Sequence, residues 1–185
     1  QMVGIVGLQV VTPMMGLALV VATLRALFGG KDHDAHGHAP ASGEANVGNY
    51  WVDVTRATLR FMLPLCLLWT VLLTAQGVPS TLASGPTVTP LESSSEFTGQ
   101  KIPLGPVAAM VAAKQLGSNG GGWYGPNSAM PLENPTPLSN LLEMLGILLI
   151  PIAVIFMITP LTGRRRLTAM VFAAMLLMSI LSTTA

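Results

Sequence analysis

Apolar residues in this chain fall into four long blocks separated by polar stretches. Val3 to Leu24 carries no charge, Ala57 to Ala75 carries only Arg60, and Met144 to Gly163 and Leu167 to Ala185 carry none. The hydrocarbon core of a bilayer, about 30 Å thick, is crossed by about 20 apolar residues in a helix. The pattern therefore predicts transmembrane helices at 1–28, 57–76, 144–163 and 167–185. Arg25 sits where a long stem lets its charge snorkel to the interface. Pro64 falls where neighbouring helices satisfy the backbone it frees. The last block reaches the final residue without a cap or polar tail, and Gln1 takes the place of an initiator Met. No basic segment precedes the first block as a signal peptide requires. The expectation is a piece of a longer chain.

A fifth apolar stretch is too short to cross. Within 105–117, the Ala-rich run PVAAMVAA at Pro106 to Ala113, extended to Leu116, makes a helix of about 16 Å at 1.5 Å per residue. Pro103, Gly105 and Pro106 supply its start, and Gly117 its stop. An apolar half-helix that breaks between two spans is the pattern of a re-entrant segment, tolerated only where protein or water surrounds its end.

The break leads into Ser118, Asn119, Gly120, Gly121 and Gly122, within a predicted filter loop at 118–126. Consecutive glycines adopt left-handed as readily as right-handed angles, so successive carbonyls need not alternate as in a strand and can face one axis. The C-terminal end of the half-helix adds a partial negative charge that favours a cation. Backbone oxygens suit potassium, because carbonyl rings replace its water shell, whereas magnesium or calcium calls for carboxylates. No acidic residue lies between Lys101 and Glu133. The order of span, re-entrant helix, glycine filter and span is that of one potassium-channel pore unit, about a quarter of a filter built from four loops.

Composition narrows the classes further. The 185 residues are 51% hydrophobic and 9% charged, against roughly 25% charged in soluble domains. A net charge of +1 offers no field to gather nucleic acid, so none is expected as a partner, and lipid is. The single Cys66 lies in an apolar run and reads as a small buried hydrophobe. Basic residues set the orientation. Arg25, Lys31, Arg56 and Arg60 surround the loop at 29–56, and Arg164, Arg165 and Arg166 fill the turn at 164–166. With both clusters cytoplasmic, 77–104 and the return segment 127–143 lie on the outer side.

The stretch GSNGGGWYGPNSAMPLENPTPLSN at Gly117 to Asn140 resembles the potassium-binding, pore-forming A subunit of the bacterial Kdp potassium-transporting P-type ATPase. GNYWVDVTRATLRFMLPL at Gly48 to Leu65, QGVPST at Gln76 to Thr81 and LGPVAA at Leu104 to Ala109 resemble the same family. The resemblance implies an all-α integral membrane subunit built from channel-like pore repeats. It implies ATP hydrolysis on a separate P-type B subunit, with small accessory C and F subunits, in the bacterial inner membrane. It also implies that Ser118, Asn119, Gly120, Gly121 and Gly122 hold K+ through main-chain oxygens, Gly120 being the most critical. No covalent chemistry and no cofactor is expected of this chain, and no DKTGT-like phosphorylation motif occurs in it. The family more often shows Phe-Phe-Asn-Ala-Asn where Trp123, Tyr124, Gly125, Pro126 and Asn127 stand, and His at the place of Met130. The resulting expectation is the potassium-translocating subunit of an ATP-driven importer, the rival being a passive homotetrameric channel.

Other groups read more plainly. Gly120, Gly122 and Gly125 satisfy G-x-G-x-x-G but follow a helix instead of a strand, so they do not bind a dinucleotide. His33, His36 and His38 beside Asp32 and Asp34 read as a solvated loop before a metal cluster. Asp53 and Arg56 are expected to pair at i, i+3. Glu133 and Glu143 either draw cations to the outer mouth or anchor the loop by hydrogen bonding. Lys114, a cation close to the filter, needs a partner that the sequence does not reveal.

Overall fold

The computed structural model describes residues 2–28, 47–92 and 98–184. Lys31, Asp32, His33, Asp34, His36 and His38 lie outside the described residues. Helix α1 (Met2–Phe28) is followed by α2 (Tyr50–Ala57), which passes through a π-helical turn at Thr58–Met62 into α3 (Leu63–Ala75). Then come α4 (Val107–Gly117), α5 (Pro137–Phe156), α6 (Ile158–Thr162) and α7 (Arg165–Thr184). Between α3 and α4, strand β1 (Thr87–Val88) pairs antiparallel with β2 (Gln100–Lys101), Thr87 opposite Lys101. Among the described residues four helical segments are long and apolar enough to cross a membrane: Gly7–Phe28, Tyr50–Ala75, Pro137–Thr162 and Arg165–Thr184, with mean hydropathies of 1.8, 1.7, 2.7 and 1.9. The protein is an all-α integral membrane protein with several spans.

The π-turn has a cause in the sequence. Pro64 cannot donate to the carbonyl of residue 60, and its ring would collide with that carbonyl in a regular helix. The wider turn immediately before it, in which Leu63 N–H reaches Thr58 O, makes the room.

Three helices begin earlier than the charge pattern predicts, α7 by only two residues, so that Arg165 and Arg166 lie in its first turn and not in the turn predicted at 164–166. The second span starts at Tyr50 and not at 57, because Asn49 caps it, its side-chain oxygen accepting from Val52 N at 3.2 Å. Asp53 falls in the first turn, where a negative charge suits the helix dipole. Its partner is Arg25 of α1 at 2.5 Å rather than Arg56, so the pair staples α1 to α2. Helix α5 starts at Pro137 and not at 144, because Thr136 and Ser139 form a reciprocal capping box with proline in the first turn. Glu143 is thereby inside a helix and buried. Charges marked the helix ends wrongly because both carboxylates are paired within the protein.

Helix α4 packs against α1, α3 and α5, and nine of its eleven residues are buried. One side joins Val107, Ala108, Val111 and Ala112 to Leu73 and Val78, and the other joins Ala113 and Leu116 to Met14 and Met62. The short helix is therefore the centre about which α1, α3 and α5 assemble.

Candidate functional site

The site begins with how α4 is held at its two ends. At its start, Ala108 N donates to Pro79 O at 3.0 Å and Thr81 N to Gly105 O at 3.1 Å. Gly105 lies directly beneath the Trp123 ring, which a Cβ there would meet, and the indole Nε1 donates to Pro103 O at 3.1 Å. The chain leaving α4 thus returns to lie against its beginning.

At its other end the left-handed residue is Ser118, with φ of 54°, and not the glycine that reads as the stop. Gly117 is the last helical residue, and its use is close approach. A Cβ there would sit 2.9 Å from Gln9 O and from Pro13 Cγ of α1. Ser118 Oγ donates to Ile147 O of α5 at 3.0 Å, holding the turn in place.

Gly120 and Gly121 follow in left-handed conformations, with φ of 66° and 81°, which glycine adopts at no steric cost. Gly122 is required for space instead, since a Cβ there would lie 2.9 and 3.0 Å from the Glu133 carboxylate oxygens. The loop lies against α1: Gln9 Nε2 donates to Gly120 O at 3.3 Å, and Asn119 Nδ2 to Leu8 O at 3.3 Å. A cleft of about 340 Å³ between α1 and the loop is lined by Gln9, Thr12, Asn119, Gly120 and Gly121, with Ile5 and Leu8 on its apolar side. Asn119, Gly120 and Gly121 therefore face α1, while Ser118 is held by α5 and Gly122 lies against Glu133. Gln9 was not legible as a site residue, although it is the one amide in the uncharged stretch Val3 to Leu24. Its Oε1 is buried and without a partner among the described residues.

Behind the loop lie two buried polar groups of contacts. Lys114 Nζ pairs with Glu133 Oε2, both side chains being fully buried. Glu133 Oε1 accepts from Tyr124 N at 2.7 Å. Gln115 Nε2 donates to Glu143 Oε2 and, at 3.1 Å, to Ser128 Oγ. Both carboxylates thus anchor the loop from inside instead of facing the outer mouth. The Tyr124 phenol is pushed above its ordinary pKa, first by burial and then by the charge of Glu133. Among the described residues no group of three His, Cys, Asp or Glu is placed to hold a metal ion.

The sequence profile of the Potassium-transporting ATPase A subunit family matches residues 1–185. The chain is similar to the potassium-transporting ATPase potassium-binding subunit of Pseudomonas putida, at 45% identity over 84% of this chain and 25% of the relative. It is similar to the subunit of the same name from Desulfovibrio desulfuricans, at 42% identity over 96% of this chain and 29% of the relative. That from Anaeromyxobacter dehalogenans is 45% identical over 87% of this chain and 26% of the relative. The chain spans about a quarter of the length of the curated relatives it matches.

Proposed function

The chain belongs to the potassium-transporting ATPase A subunit family, and from that premise we propose that it forms part of the potassium-binding, translocating subunit of an ATP-driven import complex in the bacterial inner membrane. K+ is the cargo, and main-chain oxygens of Ser118, Asn119, Gly120, Gly121 and Gly122 replace its water. The observation that carries this reading is the left-handed run at Ser118, Gly120 and Gly121, set at the C-terminal end of a helix buried among three others. Such a run turns carbonyls out of strand alternation, and the helix end contributes its partial negative charge. The half-helix is too short to span a bilayer, which fits a re-entrant element enclosed by protein.

The chain performs no bond chemistry in this account. ATP hydrolysis belongs to a P-type B subunit, with accessory C and F subunits completing the complex. The names of the relatives, each a subunit of an ATPase, favour the importer over a passive homotetrameric channel. Thallium, an electron-dense potassium mimic, tests the site: crystals of the assembled complex soaked in it should show an anomalous peak coordinated by oxygens of residues 118–122. A peak elsewhere in the subunit, with none at this loop, would contradict the reading.

A further inference from the structure

We propose that Lys114 and Glu133 are positioning residues for potassium selection, a buried strut that sets the spacing of the glycine loop; this rests on the filter reading above. A charge pair at full burial is not the cheapest way to fill that space, since apolar side chains of like volume often serve as well or better. Nor does neutralising Lys114 require more than one carboxylate oxygen. Glu133 uses both: Oε2 holds the ammonium three residues before the end of α4, and Oε1 accepts from Tyr124 N just past the glycines at 2.7 Å. One carboxylate therefore links a side chain of α4, before residues 118–122, to the main chain after them.

The other contacts complete the clamp. Ser118 Oγ on Ile147 O fixes the entrance at 3.0 Å. Gly122 has no side chain, which leaves the carboxylate against the backbone at the exit. A carbonyl site discriminates between ions by cavity size or by the field of its dipoles, and both depend on how far the carbonyls can close on a smaller ion. Fixing both ends of the loop limits that movement. Residues that hold ligands without touching the ion commonly change affinity by about 10- to 100-fold when removed.

The test uses the full-length subunit in its assembled complex, with K+-, Rb+- and Na+-stimulated ATPase titrations. Lys114→Met together with Glu133→Gln removes both charges at nearly constant volume and leaves an amide oxygen for Tyr124 N–H. Glu133→Asp keeps the charges but is one methylene too short to span both partners. Each variant should assemble and show a half-saturating K+ concentration raised about tenfold or more, with weakened discrimination against Rb+ and Na+ and a maximal rate changed far less. Unchanged titrations in both assembled variants would overturn the strut, as would failure of both to assemble, which would make the pair a support of the fold alone. Gly120→Asp, measured alongside, separates the two proposals. If it alone shifts the K+ titration the filter reading stands and the strut falls, and if no variant shifts it both fall.

Discussion

Helices α4 and α7 are both apolar, yet they use that character in opposite ways. In α4 nine of eleven positions are enclosed, and five of the nine are small or polar, Ala108, Ala112, Ala113, Lys114 and Gln115, beside Val107, Met110, Val111 and Leu116. In α7, 20 residues long, Thr168 is the one buried residue and Met170 and Met178 are 63% and 71% exposed. Lipid tails are as apolar as leucine, so burying large side chains gains little between helices in a membrane. Close approach of small residues and satisfaction of polar ones gain more. In this protein the buried polar groups therefore gather beside the candidate site, and hydropathy marks only the frame.

Three substitutions probe the contrast, in decreasing order of effect. Lys114→Met alone strands Glu133 in the interior, and breaking a buried pair in this way costs about 3–5 kcal/mol. A thermal melt of the purified complex should show the loss, or the assembled complex should fail to accumulate. Gly117→Ala places a methyl 2.9 Å from Gln9 O, which is backbone. Overpacking of this kind costs about 1–3 kcal/mol, and the melt should fall accordingly. Met178→Ala on α7 should change stability by no more than about 0.5 kcal/mol, as at sites away from packing and polar contacts. A large loss there would mean that another protein surface covers α7, and would weaken the contrast.

The frame was largely legible in the amino-acid pattern, because twenty-residue apolar runs have few alternatives. The short helix was legible too, from Pro106 before it and the Gly-rich stretch after it. What escaped is non-local. The partner of Lys114 lies 19 residues on, and the Gln9 amide that meets Gly120 lies 111 residues back. No periodicity connects such positions. The starts at Tyr50 and Pro137 escaped because Asp53 and Glu143 look like loop charges until Arg25 and Gln115 are seen to hold them. The helix stop moved from Gly117 to Ser118 because close packing against α1, and not turn geometry, needs the glycine.

Selection of potassium by main-chain oxygens at Ser118 to Gly122, as proposed above, is decided by the K+ titration of ATPase activity in the assembled complex carrying Gly120→Asp. A side chain at this left-handed position, whose carbonyl is proposed as a ligand, should weaken K+ affinity and let Rb+ or Na+ substitute, with replacement of Asn119 doing less. A titration superimposable on that of the unsubstituted complex, with the same preference among the three ions, would contradict it.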